Sequence, residues 1–154
     1  MDDLYQLPGH LIRRLQQAAV SIFMAEVCEV GQDLTPVQFG ALVATRQNPG
    51  LDQATLAGLI AYDRTTIGGV VDRLVQKGLM IRMVSGQDRR ARELRLSEAG
   101  EHLLDQAMPH VERVQRIILS GLDAAEQQQF LALLRKATEA VNEKSRAPLR
   151  LPEK

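Results

Sequence analysis

The chain has 154 residues, of which 45% are hydrophobic and 3% aromatic, with no tryptophan. That is the size of one domain, or of one domain with an elaborated interface, built on an aliphatic core. No apolar run is long enough to span a bilayer, the opening Met-Asp-Asp-Leu-Tyr lacks a secretory pattern, and the single Cys28 cannot form an internal disulfide, so a cytoplasmic location is expected.

Formal net charge is zero, but its distribution is uneven. Residues 51–96 carry eight basic and five acidic groups, whereas residues 1–50 carry three and five, and residues 97–154 carry eight and nine. Within residues 82–95 there are five arginines against two acids. A local basic patch on a neutral chain fits a regulated binder of an anionic polymer better than a bulk charge neutraliser.

Apolar periodicity predicts a first helix from about Gln6 to Val30, with Leu4, Leu7, Leu11, Leu15, Ala18 and Ile22 on one stripe and Gly31 as its cap. Thr35-Pro-Val-Gln38 opens a second helix with a capping box, and Asn48-Pro-Gly50 stops it. Asp52 caps a short third helix, Gln53 to Ile60. Asp63 caps a fourth, Arg64 to Lys77, closed by Gly78. Leu79 to Val84 and Ala91 to Leu96 are strand candidates joined by an arginine-rich turn. Ser97 caps a fifth helix with Leu103, Leu104, Ala107, Val111, Val114, Ile118 and Leu122 on its stripe. Pro109 within it is expected to bend or interrupt it. Asp123 and Glu126 open a sixth helix, apolar at Phe130, Leu133, Leu134, Ala137 and Val141. The segment from Ser145 has two prolines and little periodicity.

In the fourth helix Ile67, Val70, Val71 and Leu74 make an apolar face. Thr65, Thr66, Gly69, Asp72, Arg73 and Gln76 lie opposite, an assortment of donors, acceptors and small residues suited to a major groove. Gly68 and Gly69 each cost about 1 kcal/mol relative to alanine in a helix, which close approach to another backbone or to DNA would explain; two ordinary packing glycines are the plainer account. Arg89, Arg90 and Arg92 crowd the turn, with Asp88 placed to hold the hairpin. Such a finger suits a narrow minor groove, although an arginine-rich loop by itself is more often a solvated charge run.

Taken together, Asp63-Arg-Thr-Thr-Ile-Gly-Gly-Val-Val-Asp-Arg-Leu-Val-Gln-Lys-Gly78, Asp88-Arg-Arg-Ala-Arg92 and Leu96-Ser-Glu-Ala-Gly100 resemble the MarR family of bacterial transcription regulators. The resemblance implies a mainly α fold with a small β-hairpin wing, that is, a winged helix-turn-helix with a helical dimerisation region. It implies a homodimer on double-stranded operator DNA, with the fourth helix in the major groove and the wing arginines in the minor groove. The corresponding division is 1–34 for the first dimerisation helix, 35–96 for the DNA-binding lobe, 97–145 for the remaining dimerisation helices and 146–154 for a tail. Leu7-Pro-Gly-His-Leu-Ile-Arg-Arg14 and Gly58 to Thr66 look most like repressors of nicotinate-type aromatic acid breakdown.

Three further features bear on function. His10, Arg14, Gln17 and Ser21 form a polar stripe along the first helix. In the resembling family small aromatic acids bind between the dimerisation helices and the DNA-binding lobe, so Arg14 and His10 are candidates to hold a nicotinate- or salicylate-like carboxylate. Tyr62 would converge on them, with Leu11, Leu15 and Phe39 as walls; an exposed polar helix edge is the competing account. Cys28 reads as a small buried hydrophobe rather than a redox sensor. The three histidines lack metal-ligand spacing, and no phosphate loop or nucleophile motif is present, so no metal, cofactor or enzyme is expected. The alternative to a DNA-binding regulator is a winged-helix module that binds another protein.

Overall fold

In a computed structural model, residues 3–31 and 33–152 are described. The order is α1 (Pro8–Val27), α2 (Pro36–Gln47), α3 (Gln53–Leu59), α4 (Ile67–Gln76), β1 (Met80–Val84), β2 (Arg92–Leu96), α5 (Glu98–Ile118) and α6 (Ala124–Ala140). Short 3-10 turns flank α1 and follow α6. The first helix is therefore shorter at both ends than its apolar period: Leu4–Gln6 and Cys28–Val30 are 3-10 turns, because Pro8 sets the first α-helical position and Gly31, at φ 75°, ends the run.

Capping chemistry places most of the remaining boundaries. The Gln38 amide donates to Thr35 Oγ1 at 3.1 Å and the Thr35 amide to Gln38 Oε1 at 3.2 Å, a complete capping box. Asp52 caps α3 through the Thr55 amide, and Asp123 and Glu126 cap α6 reciprocally. Pro109 neither ends nor interrupts α5, which runs unbroken from Glu98 to Ile118. The residue is exposed, so its ring does not compete for space in the core.

One hydrophobic cluster joins the lobe to the long helices. It contains Phe23 and Val27 of α1, Leu42 of α2, Leu56 of α3, Ile67, Val71 and Leu74 of α4, Leu94 of β2, and Leu103, Leu104, Val111 and Val114 of α5. The wing is an antiparallel pair with Met80 opposite Leu96 and Val84 opposite Arg92. Leu51 extends the pairing by an isolated bridge to Leu94. Cys28 is exposed, not buried, because it faces away from the core while its neighbour Val27 faces into it; its Sγ donates to the Ala25 carbonyl at 2.9 Å.

By contrast, α6 contains no buried residue. Leu131, Leu133 and Leu134 on α6, and Leu7, Leu11, Ile12 and Leu15 at the start of α1, are exposed in the single chain. A cavity of about 280 Å³ opens between these helices and α5, lined by Ile12, Leu15, Ile118, Phe130 and Leu134 among others.

At the junction of wing and α5, two stretches of backbone approach closely. Ser97 Oγ donates to the Gly78 carbonyl at 2.6 Å and accepts from the Gly100 amide at 3.0 Å. A Cβ at Gly100 would lie 2.1 Å from the Leu79 carbonyl oxygen. Backbone cannot yield as a flexible side chain can, so Gly100→Ala is expected to destabilise the fold by at least the roughly 1–3 kcal/mol typical of overpacking. Thermal unfolding of the variant checks this; an unchanged midpoint would mean that α5 shifts freely on the lobe.

Candidate nucleic-acid interface

The buried side of α4 is Ile67, Val71 and Leu74, and its exposed side is Gly69, Asp72, Arg73 and Gln76. The expected division into a core face and an open face is present, but the helix starts later than its sequence pattern. Asp63 does not begin the α-helix. It organises a turn over residues 64–66, with α4 starting at Ile67. Asp63 Oδ1 accepts from the Thr65 amide at 2.8 Å and from the Thr65 hydroxyl at 2.7 Å. Its carbonyl accepts from the Thr66 hydroxyl at 3.2 Å and the Ile67 amide at 3.0 Å. Residues 64–66 remain a turn, and Thr65 and Thr66 sit exposed on it rather than along the helix.

The two mid-helix glycines separate. A Cβ at Gly68 would meet Gln53 Nε2 at 3.8 Å, an ordinary contact, and one at Gly69 would meet nothing within 4 Å. Neither is required by packing within the chain. Gly69 instead leaves a notch in the open face beside Arg73 and Gln76.

The wing turn is built as a stiff unit. Ser85 Oγ accepts from the Gln87 amide, Asp88 Oδ1 accepts from the Arg90 amide at 2.9 Å, and the Ser85 amide donates to the Ala91 carbonyl. Asp88 thus holds the hairpin as its position suggested. Arg89, Arg90 and Arg92 are all exposed. Arg92 donates to the Arg89 carbonyl at 3.2 Å, and Arg90 and Arg92 line a groove of about 550 Å³ against Asp52, Gln53 and Ala54 at the start of α3.

Two arginines outside the expected set complete the arrangement. Arg82 on β1 donates to Asp72 Oδ1 on α4 at 2.7 Å and to Gln53 Oε1 on α3 at 3.0 Å. It ties the wing to both helices and neutralises the acid on the open face of α4, which would otherwise repel phosphate. Its place in an alternating strand was the only sequence signal for this. Arg146 pairs with Asp63 Oδ2. As the two lie 83 positions apart, no local pattern could reveal that pair. The Thr65 hydroxyl, the Thr65 amide and then Arg146 lower the Asp63 pKa to about 2.

The effector candidates are more scattered. The His10 ring lies edge-on to Tyr5 at 5.8 Å between centroids, and Arg14 and Gln17 are exposed further along α1. The Phe39 ring is 5.9 Å from that of Phe23. Tyr62 lines a different cavity, between α3 and residues 146–152. Within one chain, His10, Arg14 and Gln17 line neither this cavity nor the wing groove. Among the described residues no group of three His, Cys, Asp or Glu side chains is placed to hold a metal ion.

Three outcomes follow. Gly69→Ala is expected to stabilise the fold by up to about 1 kcal/mol through helix propensity, yet to weaken DNA binding by filling the notch; denaturant unfolding with a binding titration checks both signs. Arg82→Ala is expected to weaken DNA binding with little change in melting midpoint, since exposed ion pairs contribute about 0–1 kcal/mol; retained affinity would show that the wing needs no tether. Because the Asp63 value is depressed, its contribution is present above the ordinary 3.8 and lost as pH falls from there through about 2. A carboxyl NMR titration showing a normal midpoint would contradict the turn geometry.

Comparison with known proteins agrees with this geometry. The model of the MarR family matches residues 34–91. The HTH-type transcriptional repressor NicR of Pseudomonas putida is 34% identical over 134 residues, covering 87% of this chain and 84% of that protein. The PcaV transcriptional regulator of Streptomyces coelicolor, solved with its natural ligand, superposes with a TM-score of 0.84 at 35% identity, covering 92% of this chain and 98% of that one. BpsR of Bordetella bronchiseptica, whose DNA binding is regulated by 6-hydroxynicotinic acid, superposes with a TM-score of 0.83 at 29% identity, covering 90% and 97%. The chain is a winged-helix transcriptional regulator that belongs to the MarR family.

Proposed function

We propose that the protein is a homodimeric repressor that binds palindromic duplex DNA and is released by a small aromatic carboxylate. The observation that carries the DNA reading is the open row Gly69, Arg73 and Gln76, flanked by the exposed Arg89, Arg90 and Arg92 and locked to the wing by Arg82. In this reading α4 enters the major groove, led by Thr65 and Thr66, and the wing reaches the minor groove. Two apolar faces, on the start of α1 and on α6, support dimerisation, because exposed surface of this kind marks an interface. Two copies would place two recognition helices on successive half-sites about one DNA turn apart.

The effector reading rests on the exposed Arg14 and Gln17 with the half-buried His10 along α1, and on BpsR, whose DNA binding is regulated by 6-hydroxynicotinic acid. A pairing chain would cover this side of α1 and supply the wall that one chain lacks. Phe39 and Tyr62 are proposed to line the lobe side of that site. The acid would be nicotinate- or salicylate-like, its ring against Leu11 and Leu15 and its carboxylate on Arg14. A hundredfold fall in operator occupancy requires the acid to favour the released state by about 2.7 kcal/mol.

The test is selection of bound fragments, followed by fluorescence titration of the recovered duplex with and without each acid. Affinity for the selected duplex is expected to fall steeply with salt, through counterion release, and nicotinate- or salicylate-type acids are expected to release it. Arg14→Ala is expected to keep DNA binding and lose release. Full ligand response in that variant would overturn the effector site, and no preference for any duplex would turn the reading toward a protein-binding winged helix.

A further inference from the structure

We propose that residues 142–152 form a strap that belongs to the DNA-reading head, in which Arg146 acts through Asp63 as a positioning residue for the Thr65–Thr66 turn. This rests on the DNA-binding reading above. Residues 142–152, although without periodicity, form a loop that closes on itself and docks. Asn142 Oδ1 accepts from the Leu149 amide at 2.8 Å, and Asn142 Nδ2 donates to the Leu149 carbonyl at 3.2 Å. The Arg150 guanidinium spans both oxygens of Glu143. The loop is therefore shaped in part by its own bonds.

It meets the lobe at two points. The Arg150 amide donates to the Gly58 carbonyl at 2.8 Å, and Arg146 Nε donates to Asp63 Oδ2 at 2.5 Å. A Cβ at Gly58 would stand 2.9 Å from Arg150 Cβ, so a glycine there lets the strap lie close. The two anchors bracket the α3–α4 turn. That turn contains Ala61 at φ 50°, the one non-glycine with positive φ among the described residues, a conformation that disfavours any side chain. The strap thus spans a turn with little intrinsic preference for its own shape.

One carboxylate connects this strap to the reading surface. Asp63 Oδ1 holds the Thr65 amide and hydroxyl, while Oδ2 takes Arg146. Fixing one oxygen fixes the plane of the group and so the direction in which the other presents itself to Thr65. Asp63 is largely covered, with 20% of its side chain exposed, whereas Arg146 is 83% exposed. An ion pair that open contributes little to folding stability. Its effect belongs in the placement of Thr65 and Thr66. The strap also follows directly from α6, so the helix proposed to dimerise is bonded to the turn proposed to read DNA.

The test uses the full chain, a palindromic duplex recovered by selection with the wild-type protein, and a random-sequence duplex. Arg146→Ala is expected to lower affinity for the selected duplex about three- to fivefold, the scale of an exposed ion pair, leaving random-duplex affinity, dimer mass and melting midpoint unchanged. Arg146→Lys is expected to recover most of the loss. The slope of affinity against salt is expected to stay the same, and adding Arg146→Ala to Asp63→Asn to cause no further loss. Gly58→Ala, which expels the strap without touching either charge, is expected to reproduce the loss and to speed trypsin cleavage after Arg146. Unchanged affinity in Arg146→Ala beside a wild type that binds would overturn the strap's role alone. A loss that persists in the Asp63→Asn background with a shallower salt dependence would make Arg146 a direct phosphate contact and also overturn it. A wild type that prefers no duplex would overturn the DNA reading and this role with it.

Discussion

A helix that reads another molecule must be held from behind, and the rest of this structure depends on how α4 is held. Ile67, Val71 and Leu74 are 2%, 0% and 0% exposed, packed in the same cluster as α1, α2, α3, β2 and α5. With one side consumed by the core, the opposite side is left with Gly69, Arg73 and Gln76 pointing outward. The wing cannot drift, because Arg82 ties it to α4 and α3, and α5 cannot slide, because Gly100 rests against the Leu79 carbonyl. A rigid frame matters for recognition, since groups fixed in advance lose less entropy on binding.

Electrostatics follow the same plan. A neutral chain binds a polyanion only where its acids are taken out of play. Asp72 is paired with Arg82, and Asp63 is occupied by Thr65 and Arg146. Asp88 accepts the Arg90 amide within the wing turn. In each case the acid shapes the backbone or anchors a neighbour. Arg73, Arg89 and Arg90 form no ion pair among the described residues, and they lie on the face this leaves open.

The apolar faces of α1 and α6 tell a different story from the lobe. The lobe closes its core within one chain, whereas these helices keep leucines in the open. Arg14 lies on the same exposed part of α1. If one surface both pairs two chains and receives a carboxylate, ligand and spacing of the reading heads are linked through shared contacts, which is what a switch between bound and released states requires.

Much of this was legible along the chain. Thr35, Asp52, Ser97 and Asp123 marked helix starts because a capping side chain bonds to an amide two or three residues away, so the signal is local. The 3.6-residue period identified the buried face of α4 and the stripe of α5 for the same reason, and the motifs from Asp63 to Gly100 carried the family. Tertiary structure decided what local pattern could not. Asp63 has the pattern of a helix cap, but in the fold it is the centre of an entry turn over residues 64–66 and also takes the distant Arg146. Arg82 was one arginine of a basic cluster until β1 brought it across α4. Cys28 and Pro109 depended on which side of a helix faces the core. Residues 142–152, without periodicity, close on themselves through Asn142 and Glu143 and dock on Gly58 and Asp63, dozens of positions away. Local bonding and periodicity act between near neighbours, so sequence alone determines the elements and their faces. Pairing of charges and docking of an irregular strap depend on which distant residues the fold brings together, and only the packed chain determines that.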